Sequence, residues 1–467
     1  MADMTTATRA YGAELAKSVA AIRYEDLPDD VVTITKLFIL DTLGVIAGAA
    51  KAPGMKELVA SLEAWETGGL STLLLGSGKV NPVSAALANG AAAHALDFDD
   101  QHDPARVHVF CVVLPAVLAT IEAEDRQISG RDIILAVAVG VEVFCRLGLA
   151  CYNSLGKGWH PTTAFGTISA AAAVSKVFRM DEAQTLNALG LAFVQLSGTT
   201  QFIADGALAK RVGPGFAARS GVLAAHLARN GITGPHRFLE GNSGLFNLYE
   251  RGEVKPEIIV GEFGKLWQVR DLSMKPFPCC RCTHTAIQLA LDLKAQGLKA
   301  TDVKSGLIEL GEVNRKIVGA AFDRAHPTPV VHAQFNAAYA FAAALADGEV
   351  TIRSFTPDRI RADDVAYAAT IETRSTPDYE ETAIAPCRVS MTTHDGRILS
   401  AEKLTMKGAP DEPMTHAEVL AKFASCLDWG FGASGEPVER LQDFIMSLDS
   451  QGDGKQVIAL FTQARGR

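Results

Sequence analysis

The chain has 467 residues, of which 48% are hydrophobic and 7% aromatic, and its formal net charge is −9 at pH 7. This length is typical of two or three domains. The acidic charge balance argues against a general nucleic-acid-binding or membrane-surface protein, because both need a basic face.

The sequence predicts neither a secretory signal nor a membrane span. The opening segment 1–17 is polar and lacks the apolar core of a signal. Segments 38–50 and 133–151 are apolar, but Asp41 and Glu142 interrupt them, so we expect core helices. Eight cysteines without a signal are typical of reduced thiols, and we therefore expect a cytoplasmic protein.

From about residue 8 to about residue 265, apolar residues recur at helical spacing. Many alanines and glycines fall on the inward faces, which lets helix axes approach closely. The helices are predicted over residues 32–49, 82–96, 112–123, 131–149, 163–177, 181–196 and 217–229. Together they predict a large all-helical domain over residues 1–266.

Beyond about Trp267 the pattern becomes mixed, and we expect a smaller α+β domain over residues 267–408. The predicted strands lie in the segments 303–313, 365–373, 387–393 and 398–406, and the main predicted helices lie in 284–296 and 333–347. An Asp-Gly pair at 395–396 predicts a hairpin turn. Residues 409–467 are helical again and are expected to return to the first domain. The predicted fold class is therefore mainly α.

The first cluster of reactive side chains follows an alanine-rich helix. It contains Asp97, Asp99, Asp100 and His102, and His108 comes soon after. Acids at the end of a buried helix are costly unless they are paired or used in chemistry. The alternative interpretation is a capping or loop cluster that meets solvent.

His160 forms the second candidate site. It precedes Pro161, a residue favoured at the first position of a helix, and an alanine-rich helix follows. A histidine at a helix N-terminus can bind an anion or remain a neutral imidazole. The alternative is a loop histidine that is hydrogen-bonded to a backbone carbonyl.

Two adjacent cations, Lys210 and Arg211, form the third candidate site. They precede a Gly-Pro-Gly turn at 213–215 and could neutralise a substrate carboxylate, Arg211 through a bidentate fork. The alternative is a solvated surface pair. The spacing does not match a phosphate-binding loop.

The fourth candidate site is the segment 275–284, which contains Lys275, three cysteines and a histidine. The spacing does not fit paired zinc ligands, so no metal is predicted. A cysteine beside Arg281 at a helix start would have a lowered thiol pKa, and Cys280 could act as acid, base or nucleophile. Otherwise these cysteines are small buried residues. Lys275 is expected to extend its charge into an interdomain cleft.

These residues indicate cofactor-independent proton chemistry on a small carboxylate-bearing substrate. Acids and histidines would move protons, while cations would stabilise an enolate-like intermediate. One rival is a hydrolase that uses Cys280 as its nucleophile. Another is a non-enzymatic scaffold that only dimerises or binds a metabolite.

Taken together, the four motifs resemble the MmgE/PrpD family, which includes 2-methylcitrate dehydratase, cis-aconitate decarboxylase and iminodisuccinate epimerase. The resemblance runs along nearly the whole chain. It rests on residues 89–100, 158–162, 210–211 with 217–221, and 275–278 with 283–284. It implies a large helical domain completed by the C-terminal tail, a smaller α+β lid, a cleft active site and a homodimer without metal or organic cofactor.

The same resemblance implies roles for individual residues. Asp97 is similar to the family's active-site aspartate, and His108 to a histidine that follows it. His160 matches the histidine of a Gly-aromatic-His-Pro motif, and Lys210 and Lys275 match two pocket lysines. These five residues are the predicted catalytic groups.

Three positions depart from the family pattern. Gln101 stands where members often have threonine, Cys280 where cis-aconitate decarboxylases have histidine, and Gly213 where many members have histidine. The predicted substrate contacts are Asp100, Gln101, His102, Arg211, Cys280 and Arg281. The predicted reaction is proton abstraction α to a carboxylate of a small di- or tricarboxylate, leading to dehydration; the alternatives are epimerisation and decarboxylation.

Overall fold

A computed structural model describes residues 9–66 and 68–466, which divide into two compact units. Unit 1 contains the described residues up to Ala95, together with Asp99–Ser273 and those from His416 onward. Unit 2 contains Leu96–Phe98 and Met274–Thr415. Helices make up 57% of the structure, which confirms the mainly α prediction.

Twelve of the helices in the described part of the chain belong to the first stretches of unit 1. They are α1 (Tyr11–Ala21), α2 (Asp29–Gly48), α3 (Met55–Trp65), α4 (Pro82–His94), α5 (Phe110–Ala123), α6 (Gly130–Ala150), α7 (Pro161–Val177), α8 (Glu182–Phe193), α9 (Gln201–Ala204), α10 (Ala209–Arg229), α11 (Leu245–Leu248) and α12 (Glu257–Val260). Two short antiparallel pairs join β1 (Ser71–Thr72) to β2 (Lys79–Val80) and β3 (Gln101–His102) to β4 (Leu272–Ser273).

Local sequence explains where α4 begins and how it packs. The Asn81 side chain accepts a hydrogen bond from the Ser84 backbone N–H at 2.9 Å, and Pro82 occupies the first helical position. A β-carbon at Gly215 of α10 would overlap the Leu87 carbonyl oxygen of α4. Glycine therefore allows α4 and α10 to come close enough for their end residues to share one site.

Two helices are long and apolar enough to cross a membrane by length and composition. In the helix that spans 29–51, 78% of the most apolar stretch is buried inside the structure, and in α6 the share is 89%. Core helices of a soluble protein pass the same test. This burial is what the sequence analysis expected of these two segments.

Unit 2 is built on one four-stranded sheet with helices packed against it. Its elements are α13 (His284–Ala295), β5 (Val303–Leu310), α14 (Glu312–Val318), α15 (Pro329–Gln334), α16 (Ala337–Asp347), α17 (Pro357–Ile360), β6 (Ile371–Ser375), β7 (Cys387–Thr393) and β8 (Ile398–Lys403). The strand order is β6-β5-β7-β8, with β5 and β6 parallel and the other pairs antiparallel. The predicted Asp-Gly hairpin is confirmed, since Gly396 has a φ of +87° between β7 and β8.

One strand prediction is wrong over most of its length. The segment predicted over 365–373 forms 3-10 turns from Asp363 to Thr370, and the strand β6 begins only at Ile371. Val365 and Ala368 are buried in the core of unit 2. Their spacing of three residues suits a 3-10 helix, in which such residues lie above one another.

The unit limits differ from the expected domain limits of 266/267 and 408/409. The tripeptide Leu96–Phe98 groups with unit 2 rather than with the helical domain. The Gln334 side-chain amide donates to the Leu96 carbonyl at 2.8 Å, and Lys275 donates to the Asp97 carbonyl at 2.9 Å. Side chains of unit 2 thus donate hydrogen bonds to two backbone carbonyls of this tripeptide.

The chain ends in α18 (His416–Phe431), α19 (Glu436–Met446) and α20 (Gln456–Ala464), all within unit 1. α18 packs on α2, where Lys422 Nζ lies 2.6 Å from Asp41 Oδ1 in a nearly buried ion pair. A β-carbon at Gly430 would overlap the Ala47 carbonyl oxygen. A small residue and an ion pair therefore fix α18 against α2.

Candidate active site

A cluster of ionisable side chains lies inside unit 1, where α4, α5 and α10 meet. His94 Nδ1 lies 2.8 Å from Asp99 Oδ2, and His108 Nδ1 lies 3.4 Å from the same oxygen. Lys210 Nζ lies 3.1 Å from His94 Nε2. The His94 and Asp99 side chains are fully buried, whereas 14% of the His108 side chain is exposed. One carboxylate therefore contacts two imidazoles, and one of these imidazoles contacts an ammonium group.

The hydrogen bonds assign the ring protons of both histidines. A lysine ammonium can only donate, so His94 Nε2 accepts from Lys210 and the ring proton sits on Nδ1, facing Asp99. His108 Nδ1 lies 2.8 Å from the Asp100 carbonyl oxygen, which can only accept. His108 therefore also carries its proton on Nδ1, and its Nε2 is the acceptor atom in the neutral ring.

His160 lies directly before α7, as its Pro161 predicted. Its Nδ1 lies 2.9 Å from Thr163 Oγ1, and its backbone N–H donates to the Gly198 carbonyl. Burial lowers the pKa of His160 well below its usual range, and the charge of Lys210 lowers it further. The imidazole is therefore neutral near pH 7.

Asp100 holds the start of α5, and its predicted contact with substrate stays a prediction. Its two carboxylate oxygens accept from the backbone N–H groups of Val109 and Phe110, at 3.0 and 2.9 Å. Burial and the neighbouring Asp99 raise the pKa of Asp100 to about 8. Asp99, which belongs to the predicted cluster but was assigned neither a catalytic nor a substrate-binding role, is the acid that contacts the two histidines.

His102 has hydrogen-bond partners inside unit 1, and its predicted contact with substrate stays a prediction. Its Nδ1 accepts from the Ala105 backbone N–H at 3.1 Å, and its Nε2 faces the Gln268 side chain at 3.3 Å. Both ring nitrogens thus have partners within unit 1, and burial lowers the pKa of His102. His108 joins the cluster and His102 does not.

Two further predicted contacts of unit 1 have structural partners. The Gln101 amide donates to Asp103 at 2.9 Å, and the Gln101 backbone pairs with Ser273. Arg211 is buried and donates to the Pro53 carbonyl at 3.1 Å. Their roles in substrate binding stay predictions.

Unit 2 contains the second group of predicted site residues. Lys275 is buried, and its Nζ lies 3.3 Å from Asp97 Oδ2 in addition to its bond with the Asp97 carbonyl. Asp97 has a φ of +55°, in the left-handed region that side chains other than glycine rarely adopt. Lys275 therefore holds both the charge and the unusual backbone of Asp97 in place.

The cysteine segment of unit 2 is buried as well. A hydrogen bond from the Cys282 thiol lowers the pKa of the Cys280 thiol, and Lys275 contributes in the same direction. Arg281 is also buried, and His284 Nε2 lies 3.3 Å from the Cys279 carbonyl oxygen. The predicted roles of Cys280 and Arg281 in substrate binding stay predictions.

Three donor atoms of unit 1 could approach a metal ion. His94, Asp99 and Cys111 offer ligand atoms within 4.8 Å of one another, and all three residues are buried. However, His94 Nδ1 already donates to Asp99, and burial raises the pKa of the Cys111 thiol well above its usual range. Since a metal needs the thiolate and the free nitrogen lone pair, this arrangement favours the hydrogen-bonded network.

Two protein-family models match the chain. The model of the MmgE/PrpD N-terminal domain matches residues 13–257, and that of the C-terminal domain matches residues 277–448. The chain belongs to the MmgE/PrpD family.

Curated relatives match over almost their whole length. The chain is 27% identical to the cis-aconitate decarboxylase-like protein oryM of Aspergillus oryzae over 475 residues, covering 96% of this chain and 97% of the relative. It is 27% identical to cis-aconitate decarboxylase of Aspergillus terreus, with coverages of 93% and 92%. It is 28% identical to the human enzyme of that name, with coverages of 94% and 92%. Membership of this family supports lyase-type enzyme chemistry.

Proposed function

We propose that this member of the MmgE/PrpD family is a cofactor-independent lyase that acts on a small polycarboxylate. The observation that carries the proposal is the Asp99–His94–Lys210 network, in which the acid and the imidazole are buried and the lysine is half-buried. His108 also contacts Asp99, and the charges of Lys210 and His94 help to lower the pKa of His160. The network combines an ammonium group for carboxylate charge with imidazoles that can move protons.

The chemistry of the proposed reaction matches these groups. Removing the proton α to a carboxylate leaves an electron pair that spreads onto the carboxylate oxygens, where a nearby ammonium stabilises it. Loss of a β-hydroxyl group completes a dehydration. Loss of carbon dioxide from a neighbouring carboxylate creates the same kind of electron-rich carbon, which then takes up a proton. Neither route changes an oxidation state of the enzyme, so neither needs a redox cofactor.

Two members of this reaction class are favoured by different observations. Decarboxylation of a cis-aconitate-like acid is supported by the relatives, which carry the name cis-aconitate decarboxylase. Dehydration of a hydroxy acid is the reaction expected from the sequence, in which Cys280 departs from the histidine of the decarboxylase pattern. Both substrates carry two or three carboxylates.

Proton NMR in heavy water with cis-aconitate, 2-methylcitrate, citrate and malate tests the proposal. Decarboxylation releases carbon dioxide and places deuterium in the product, whereas dehydration produces an unsaturated acid without carbon loss. Exchange of one C–H without net conversion would indicate epimerisation. Dialysis against a chelator is expected to leave the rate unchanged. If none of the acids is turned over or exchanged, the proposed function is wrong.

The rival hydrolase is tested separately through Cys280. A lyase whose protons are moved by the histidines and Lys210 keeps turning over the acid after Cys280→Ser, because serine retains a polar side chain and no covalent step is lost. A hydrolase that depends on this nucleophile loses all activity. Iodoacetamide labelling with and without the acid gives an independent measurement of the same point.

A further inference from the structure

Three side chains of the unit 1 cluster form a continuous chain of hydrogen bonds. Asp99 accepts from His94 Nδ1 at 2.8 Å, and His94 Nε2 contacts Lys210 Nζ at 3.1 Å. The three residues come from the segment after α4, from the end of α4 and from the first turn of α10. The carboxylate and the ammonium therefore sit at opposite ends of one imidazole ring.

This geometry permits two placements of one proton. With Lys210 as ammonium, its N–H points at the His94 Nε2 lone pair. With the proton on His94, the imidazolium Nε2–H points at a lysine amine, and Asp99 compensates the ring charge at once. The heavy atoms need not move between the two states, because the bond at 3.1 Å serves both.

We infer that Asp99 and His94 are positioning residues that hold Lys210 and take a proton from it during turnover; the inference rests on the proposed lyase function. In the transfer, one N–H bond of Lys210 breaks and an N–H bond forms at His94 Nε2, which leaves Lys210 as a neutral amine. The amine takes the α-proton of the substrate and passes it, as ammonium, to a leaving hydroxyl group. His94 then returns the first proton, so all three side chains end as they began.

Other ionisable groups face the Asp99–His94–Lys210 relay and affect the pH range in which it works. His108 contacts Asp99, and His160 is affected by the charges of Lys210 and His94. Asp100 and Cys111 are coupled to Asp99 by charge, and Asp41 of α2 is coupled to Asp99 in the same way. The relay is therefore tested by removing one charge at a time within an otherwise intact cluster.

Asp99→Asn removes the charge of the relay but keeps an oxygen that can accept from His94. Without the carboxylate, every protonated state of the His94–Lys210 pair is less stable. Both limbs of the kcat–pH profile are therefore expected to move to lower pH, by about one to two pH units.

His94→Gln keeps an acceptor for Lys210 but cannot take its proton, so kcat should fall by about 10²-fold or more while KM changes little.

Two matched variants control for the substitutions themselves. His226→Gln changes an exposed histidine on α10, and Asp428→Asn changes an exposed aspartate on α18. Both should retain the parent kcat and the parent pH limits. A purely structural role for Asp99 would lower kcat and leave the limbs where they are, and this result would overturn the inference.

A second measurement does not depend on turnover. Nitrogen-15 NMR of ring-labelled histidine, with His94→Gln to assign the signal, should show His94 protonated at Nδ1 and unprotonated at Nε2 at neutral pH. A ring protonated at Nε2 alone would overturn the relay. If the expected tautomer is present but the parent turns over no acid, the proposed function fails and the hydrogen-bond chain stands.

Discussion

Thr163 illustrates how single residues shape the candidate site. A β-carbon at Gly213 would lie 2.7 Å from Thr163 Oγ1, and one at Gly198 would lie 2.5 Å from Thr163 Cβ. Both distances are shorter than side chains tolerate, so the two glycines make room for the Thr163 hydroxyl that contacts His160. The glycine at 213 is thus matched in size to the threonine that it faces.

Gly213→Ala is therefore expected to impair catalysis more than stability. The new methyl group displaces Thr163 Oγ1 and turns His160, which should lower kcat by about tenfold to a hundredfold. Alanine in a helix interior recovers up to about 1 kcal/mol, so the melting temperature should change little. Steady-state kinetics and thermal melts measure both effects. Gly452→Ala is the control, since the nearest atom to its new β-carbon lies 3.8 Å away. A kcat equal to that of the parent would contradict the positioning of His160 by Thr163.

Asp100→Asn tests the protonation of the helix cap. The pKa of Asp100 is raised to about 8, above its ordinary value, so its contribution to stability is complete at low pH and is lost as pH rises towards 8. Asparagine cannot ionise, so the Asp100→Asn variant does not lose this stability as the pH rises. The melting temperature of the variant minus that of the parent should therefore become more positive between about pH 5 and about pH 8. Asp428→Asn should show a flat difference, and a flat difference for Asp100→Asn would show that its carboxyl is already ionised.

Some features of the candidate site could be predicted from the sequence and others could not, for physical reasons. The position of His160 directly before a helix was predictable, because Pro161 and the residues around it are a local signal for a helix start. The pairing of His94 with Lys210 was not predictable, because it depends on how closely α4 and α10 approach at Gly215. The sequence could not distinguish a capping role of Asp100 from a substrate contact, because both use the same residue type.

At the scale of elements, the contact between α2 and α18 depends on a buried ion pair. Lys422 Nζ and Asp41 Oδ1 are 2.6 Å apart, and their side chains are only 5% and 1% exposed. Removing one partner of such a pair strands the other charge in an apolar interior. Through this pair, the packing of α18 on α2 contributes to the folding stability of unit 1.

Lys422→Met should lower the free energy of unfolding by about 3–5 kcal/mol, because Asp41 then remains buried without its ammonium partner. Urea unfolding followed by circular dichroism gives this number. The double variant Asp41→Leu, Lys422→Met should be more stable than Lys422→Met, since it removes both charges. Lys56→Met, on an exposed face of α3, is the control and should stay within about 0.5 kcal/mol of the parent. Equal losses for the two lysine variants would contradict the role of the pair.

Helix positions were predictable from periodicity, whereas the limits of short elements were not. The helix expected over 82–96 is Pro82–His94, because its N-cap and its small-residue core are local features. Residues 363–370 form 3-10 turns despite their neighbouring β-branched residues, since Val365 and Ala368 are buried at a spacing of three. Packing within unit 2 determines that these residues form 3-10 turns rather than a strand. Such packing cannot be predicted from a short segment of sequence.

At the scale of the whole molecule, all eight cysteines are buried thiols rather than members of disulfides. Because a thiol reagent must reach them through opening of the structure, native protein should react with Ellman's reagent slowly and incompletely. In denaturant without reductant, eight thiols per chain should react at once. Intact mass after alkylation measures the same count. Rapid reaction of native thiols, or fewer than eight in denaturant, would contradict this burial or the reduced state.

The homodimer implied by the family stays a prediction for this chain. With a chain mass of 49.5 kDa, light scattering should give twice that mass for a dimer. Large apolar side chains on unit 1 are exposed, among them Val194, Phe216 and Leu223. A particle of one chain mass at micromolar concentration would contradict the expectation.

The order of the units along the chain has a consequence for synthesis. Unit 1 receives its last helices only after Met274–Thr415 has been made, because α18 follows unit 2 in sequence. Until then Asp41 faces an uncovered side of α2, without the Lys422 charge that it meets in the finished protein. On the ribosome, the growing polypeptide therefore carries an incomplete helical core through the whole translation of the second unit, and this interval is when it most needs protection by a chaperone.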